Sequence, residues 1–351
     1  MANPRESELT YPLGDALPGP GEALDLLPGL RWVRMGLPFA LDHINLWLLR
    51  DTLDGREGWT IVDCGIHSDA TRANWDQVFA ERLDGLPVLR VIVTHFHPDH
   101  MGLAHWLTER WQCRLWMSAT DYQLARLASS STVGMGGDAA AAFFGSHGLT
   151  DPAALDKIRS RASYYPSMVP AVPAAYRRLM DGMTVRIGEH DWRCLAGHGH
   201  APEHISLFSE SLGAMISGDM VLPRISTNVS VVDVEPEADP LQLYLGSLER
   251  LAPLPAETLV LPAHGKPFRG LHARIDQLRQ HHQERLVEVL EACTAKPCHA
   301  AELLPMMFRR PLDLHQTTFA MGEAVAHLNR LWLGGQLRRS LDADGIHRFS
   351  A

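Results

Sequence analysis

The sequence predicts an α/β protein, in which a large domain of buried strands alternating with helices is followed by a smaller helical domain. Three observations carry this. The chain has 351 residues, more than the roughly 100–200 of one ordinary domain. Between residues 44 and 117, short apolar and β-branched runs alternate with helical patterns. From Gly270 the composition changes to a long charged helix with Leu271, Ile275, Leu278, Leu286 and Leu290 at helical spacing.

Taken in order, residues 1–30, with Pro12, Pro18, Pro20 and Pro28, read as an irregular leader or edge segment, and order is expected from Trp32. Residues 44–49 and 59–62, on either side of the polar Asp54-Gly55, predict a hairpin of buried strands. Its second strand ends in Asp63-Cys64-Gly65, and residues 68–83 read as an amphipathic helix capped by Ser68 or Asp69. A core strand, Val91-Ile92-Val93, then runs into a histidine-rich turn, followed by a helix over 101–111 and a strand over 114–117. Residues 120–180 break the rhythm with small-residue stretches, Gly134-Met135-Gly136-Gly137 among them. They are expected to form a largely helical insertion that shapes substrate access. Strands resume at 184–188, 191–195, 214–218 and 259–262. Beyond the long helix, 299–308 and 316–333 predict two more helices, the second ended by Gly334-Gly335, and 336–349 a hairpin turning at Asp344-Gly345. The domains are therefore drawn as 1–30, 31–268 with the 120–180 insertion, and 269–351.

Composition narrows the function. A net charge of −9 disfavours attraction to phosphate backbones, so small molecules are expected as partners and nucleic acid is not. Cys64, Cys113, Cys194, Cys293 and Cys298 form no CxxC pair and are odd in number, which suggests reduced thiols rather than a disulfide framework or a zinc ribbon. Neither a signal peptide nor a membrane span is read in the first thirty residues, so a cytoplasmic protein is expected, with a homodimer compatible.

The turn after Val93 carries the chemistry. His95 and His97 are two apart on extended backbone and point the same way, and Asp99 and His100 follow on the turn that Pro98 forces. Imidazole nitrogens and a carboxylate suit a borderline divalent metal such as zinc. With 19 histidines in the chain, a chance His-x-His-x-Asp-His is expected only on the order of a few times in a thousand such chains, which argues for a site.

His95-Phe96-His97-Pro98-Asp99-His100 resembles the His-x-His-x-Asp-His signature of the metallo-β-lactamase-fold superfamily, and the resemblance extends over roughly residues 30–268. It implies an αββα four-layer sandwich. It also selects the other ligands: His200-Ala201-Pro202-Glu203-His204 resembles the family's His-x-x-Gly-His, with His200 the ligand and Glu203 where the family has glycine. Asp219, closing the 214–218 strand, matches the bridging aspartate, and His264 before Gly265 resembles the last ligand. The resemblance thus implies a first site of His95, His97 and His200 and a second of Asp99, His100 and His264, with Asp219 bridging. Asp63 matches an aspartate that supports the metal-binding loop. Two divalent cations follow, zinc expected, although iron or manganese suits the same ligands. They would share a water and lower its pKa towards about 7 for attack on an electrophile, with Asp99 as the catalytic group that orients the water or carries a proton.

The nearest functional likeness is to glyoxalase II and acyl-thioesterase-like proteins, implying hydrolysis of a small ester or thioester. His43, Asn45 and Arg224 are candidate substrate contacts. The alternative is a phosphodiesterase or ribonuclease of the same superfamily, which the acidic charge weighs against. A mononuclear iron redox centre conflicts with the complete second ligand set, and lactam hydrolysis normally belongs to exported members. The C-terminal helices and hairpin resemble a winged-helix module. Its basic residues Arg309, Arg310, Arg338, Arg339 and Arg348 are too scattered to predict DNA binding, and in hydrolases of this layout such a module caps or completes the substrate pocket.

Overall fold

The computed structural model describes residues 3–130, 136–161, 163–309 and 311–351; Gly134, Met135 and Arg310 lie outside them. One sheet runs in chain order, β1 (Ala23–Leu27), β2 (Leu30–Gly36), β3 (His43–Leu53), β4 (Arg56–Val62), β5 (Val88–Ile92), β6 (Arg114–Met117) and β7 (Tyr176–Arg178). It is antiparallel through β4 and parallel from β4 to β7. Between its strands come α1 (Asp69–Arg82), α2 (Pro98–Met101), α3 (Ala104–Trp111), α4 (Ala119–Ser130), α5 (Gly137–Ser146), α6 (Pro152–Arg159) and α7 (Tyr164–Met168). The second sheet has the order β12-β11-β10-β9-β8, built from β8 (Thr184–Ile187), β9 (His190–Gly197), β10 (His204–Ser209), β11 (Ala214–Gly218) and β12 (Leu259–Pro262), with α8 (Pro240–Leu251) before β12.

The period-two alternation of the strands generates the layers. In β3, Ile44, Leu46 and Leu48 face α1, α3 and α4, while Trp47 and Leu49 face the second sheet. In β12, Leu259 and Leu261 face the first sheet and Val260 faces α8 and α9 (Leu271–Ala295). Helices, sheet, sheet and helices are thus separated by three apolar cores, the αββα arrangement expected. Arg90 of β5 and Asp51 of β3 form a buried ion pair at 2.8 Å; Asp51 also accepts the Thr60 hydroxyl and the amide of Gly188 from the turn between β8 and β9. This pair ties the sheets together away from the apolar core.

Two expectations change in detail. Residues 1–30 are not irregular throughout, because β1 is the sheet's edge strand, Leu9 is buried and Thr10 bridges Arg269. The helix expected over 101–111 begins at Pro98, where a missing amide costs nothing, and breaks at Leu103, whose amide turns to the Gly65 carbonyl (3.2 Å).

The remaining chain forms α9, α10 (Ala300–Met307), α11 (Leu314–Leu333) and a hairpin of β13 (Arg338–Leu341) and β14 (His347–Ser350). It lies against the second sheet's outer layer: Met321, Val325 and Leu328 of α11 share a core with Leu241, Tyr244 and Leu248 of α8. All five cysteines are free, and burial pushes the Cys113 and Cys194 thiols up to about 12. Among the described residues, no helix is long and apolar enough to cross a membrane.

Candidate metal centre

Strand direction brings the polar turns together. β4 and β5 are parallel, and β9, β11 and β12 run alike because β10 is antiparallel to both β9 and β11 while β12 is parallel to β11. The loops after these five strands therefore share one rim, carrying Asp63, 94–100, 198–200, Asp219 and His264. Backbone bonds across the sheets, Ile205 N–H to Thr94 O (2.8 Å) and Asn45 N–H to Ala263 O (2.7 Å), lock it.

His95 Nε2, His97 Nδ1 and His200 Nε2 lie 2.9, 3.1 and 3.2 Å apart. Tetrahedral bonds of about 2.0–2.1 Å to a zinc ion would set such nitrogens roughly 3.3 Å apart. Asp219 Oδ2 approaches His200 Nε2 at 3.2 Å, and its other oxygen, Oδ1, lies 3.6 Å from His100 Nε2 and 3.4 Å from His264 Nε2. Asp99 Oδ2 completes this second trio, 3.7 Å from His100 and 3.4 Å from His264. All seven residues expected as ligands thus converge in two groups able to hold a metal ion.

The outward ring nitrogens explain the orientation of four histidines. His200 Nδ1 donates to Asn228 O (2.8 Å), His264 Nδ1 to His43 O (2.7 Å) and His100 Nδ1 to the Asp63 carboxylate (2.8 Å). Thr94 gives its one hydroxyl proton to Asp63, so its oxygen accepts from His95 Nδ1 (3.0 Å). These partners place each proton on Nδ1 and turn Nε2 inward. Asp63 adopts a left-handed backbone (φ 62°) and also accepts the Thr94 amide, fixing the histidine turn from behind as expected. Two inward atoms, His100 Nε2 and Asp219 Oδ1, are buried without a hydrogen-bond partner. Buried polar atoms left in this way call for a ligand between them, and imidazole with carboxylate suits a divalent cation.

Electrostatics differ between the groups. Burial and the surrounding histidines hold His95 well below the ordinary histidine value, and burial together with His200 lowers His97 to about 3. In the second group burial pulls His100 and His264 down, but carboxylates outweigh it. Asp63, Asp99 and Asp219 hold His100 well up, and Asp219 and Asp99 raise His264 to about 10. Burial alone would lift Asp99 and Asp219, yet the facing histidines bring Asp99 to about 2 and keep Asp219 low. Without a cation, His100 and His264 therefore hold protons at neutral pH and His95 and His97 do not. A cation competing with those protons binds the second group more tightly as pH rises through neutrality. Filling the second group at neutral pH should release about two protons. Calorimetric titration in buffers of different ionisation enthalpy checks this, and equal heats in all buffers would contradict it.

Of the remaining candidates, none turns its side chain on these atoms. Asn45 is fully buried, accepts from Trp32 Nε1 and donates to Pro262 O and Gly265 O, so it braces the rim rather than meeting a substrate. His43 orients His264 through its carbonyl and accepts the Gly265 amide at Nε2. Arg224 is paired with Glu6 and tied to the N-terminal segment. His198 turns to Pro202 O, and His204 accepts the Asp219 amide. Gly218 (φ +50°) must be glycine, since a Cβ would stand 2.3 Å from His204 Nε2.

Sequence reasoning missed Asp121. Fully buried, it accepts the amides of Phe96 and Glu203, joining the two histidine loops, and burial raises it to about 6. Glu203, where the resembling family has glycine, reaches the start of α4 and accepts from the Thr120 amide and hydroxyl. The loop after Asp219 is also set from downstream. Arg274 of α9 donates to Leu222 O and Ile225 O, and Val231 N–H bonds Gly322 O of α11 (3.1 Å). The approach is close enough that a Cβ on Gly322 would stand 2.7 Å from Ser230 Cβ.

A cleft of about 230 Å³ opens onto His97 and His200. Its walls come from the 136–164 insertion, the 228–243 segment and the first turns of α11. Both the insertion and the C-terminal region thus line the approach to the histidines.

A family model described as the metallo-beta-lactamase superfamily matches residues 40–264, and another, for a metallo-beta-lactamase-like C-terminal domain, matches 286–351. The crystal structure of a beta-lactamase domain protein from Burkholderia ambifaria is similar at 58% identity and a TM-score of 0.94, covering 98% of each chain. A metallo-beta-lactamase family protein from Thermus thermophilus matches at 28% identity and a TM-score of 0.77, over 93% of this chain and 99% of that one. A Bacillus subtilis (strain 168) protein named "Probable metallo-hydrolase YqjP" is 27% identical over 321 residues, 85% of this chain and 91% of its own. The family model runs across both sheets and ends at His264, the last residue of the second group. On this match and the full-length likeness to the Burkholderia structure, the chain belongs to the metallo-beta-lactamase superfamily.

Proposed function

We propose that the protein is a dinuclear metal-dependent hydrolase of a small-molecule ester or thioester. The observation that carries this is the division of Asp219, with Oδ2 turned to one group and Oδ1 to the other. In this reading His95, His97, His200 and Asp219 hold one cation and Asp99, His100, His264 and Asp219 a second, zinc fitting the donor set. When bound, the pair supplies Lewis acidity and an ionised water at neutral pH. Asp99 is the most open of the inward carboxylates, its side chain 18% exposed against 10% for Asp219, which suits it to orient the nucleophile and take its proton. The substrate enters along the cleft beside His97 and His200. Among the described residues only Arg161 and Glu235 bring lysine, arginine or carboxylate charge to that cleft, which favours a small, largely apolar substrate over a nucleic acid strand. The C-terminal region then serves the substrate pocket through α11, whatever the kinship of its hairpin to a winged helix.

Metal-replete protein should hydrolyse an acyl thioester and leave a phosphodiester untouched, with His95→Ala inactive on both. Phosphodiester turnover alone would replace this reading with a nuclease-like one.

A further inference from the structure

The cleft has a mixed chemistry that the hydrolase reading does not by itself require. Its walls are apolar along most of their length, through Leu124, Ala140, Phe144, Ile158 and Val231. Apolar surface continues past the mouth: Val234, Leu243 and Phe319 line the cleft and are 52%, 52% and 41% exposed, large hydrophobic side chains left facing water. Such a patch joined to a site marks a place where apolar ligand surface is covered.

Among the described residues that line this wall, Arg161 is the one cation of the lysine and arginine type. Arg161, half-buried between α6 and α7, holds its guanidinium 5.5 Å from the Tyr164 ring centroid. Among the described residues it has no carboxylate within ion-pair distance, although Glu235 lines the same cleft. Arg90 and Arg274, by contrast, are paired with a carboxylate and bonded to carbonyls respectively. Beside Arg161, the Tyr164 hydroxyl and His315 Nδ1 share a hydrogen bond (3.1 Å), bringing the insertion and α11 together at a polar spot in an apolar surface. A half-buried guanidinium beside an aromatic ring, with no side-chain hydrogen bond or ion pair to any of the described residues, is suited to carboxylate or phosphate.

Resting on the hydrolase reading, we propose that the cleft takes the apolar acyl chain of a substrate that also carries an anionic group, and that Arg161 is the specificity-determining residue that receives this anion. The anion has two sources in such a molecule, the group to which the acyl chain is attached or the far end of the chain itself. Arg161 does not touch the reacting atoms in this account; it selects among substrates.

The test is equilibrium binding to the metal-replete full-length protein, using thioethers that cannot be hydrolysed. S-octyl-N-acetylcysteamine is the neutral probe, S-octyl-coenzyme A carries its charge on the carrier, and the ω-carboxyoctyl thioether of N-acetylcysteamine carries it on the chain. One of the charged probes should bind about tenfold tighter than the neutral one, the scale of a charge-assisted hydrogen bond. Arg161→Gln should remove that advantage, Arg161→Lys should keep most of it, and neither should alter binding of the neutral probe. Each methylene removed from the alkyl chain should weaken binding about fourfold. Equal affinity for charged and neutral probes, an Arg161→Gln variant that still discriminates, or indifference to chain length would each overturn the proposal. Because binding needs no turnover, the two ideas separate. Expected binding with no hydrolysis of the matching thioesters sinks the hydrolase reading alone. Hydrolysis with no preference for chain or charge sinks the proposal alone.

Discussion

On the proposed hydrolase reading, Asp219→Ala should lower kcat/KM by on the order of a thousandfold, since a catalytic metal supplies several kcal/mol of the barrier reduction. The same change should lower metal content at both groups, because one side chain sends an oxygen to each. His264→Ala provides the contrast: it removes a donor only from the second group, so His95, His97 and His200 should keep their share of metal. Elemental analysis beside initial rates checks both. A fully loaded Asp219→Ala protein would end the bridging assignment.

Asp51→Ala should be the most damaging change to stability away from the centre, costing about 3–5 kcal/mol. It would leave the Arg90 guanidinium, 2% exposed, without its carboxylate, and would also strip partners from Thr60 and Gly188. Replacing both members of the pair by apolar residues of similar volume should recover much of the loss. Urea unfolding of the single and double variants measures this. A single-variant loss below about 1 kcal/mol, the scale of an exposed pair, would show that the pair is not desolvated as described.

The centre was legible because its information is local. His95, His97, Asp99 and His100 sit within six residues and carry the signature, whereas His200, Asp219 and His264 were picked out by the family resemblance among other loop and strand-end residues. The misread residues depend on partners far away. Asn45 lies on the strand beside the rim, which made it resemble a substrate contact, but its amide is used by carbonyls 217 and 220 positions later. Asp121 near the start of a helix looks like an ordinary cap, and nothing in its neighbourhood announces that it accepts amides from two other loops. The cleft was the least legible feature, since its walls come from three segments that only the fold brings together. Of the insertion expected to be helical over 120–180, the described residues up to Met168 include four helices, but Tyr176–Arg178 returns to the first sheet as β7; neither that strand nor the contact with α11 across Tyr164 and His315 was readable from composition.

The bond between His200 and Asn228 has a consequence for how such a protein changes over generations. Asn228 belongs to a segment seated on α11, through Val231 and Gly322 and through the Ser230 hydroxyl at the Phe319 carbonyl. The tilt of one ring in the candidate metal centre is thus set more than a hundred residues downstream, in a helix that contributes to neither group. The two regions cannot be inherited separately without cost: a recombinant taking residues 269–351 from a distant cousin would keep all five histidines of the two groups and still misalign one. Compensating substitutions in such hybrids should gather at the 228–232 seat rather than around the ligands.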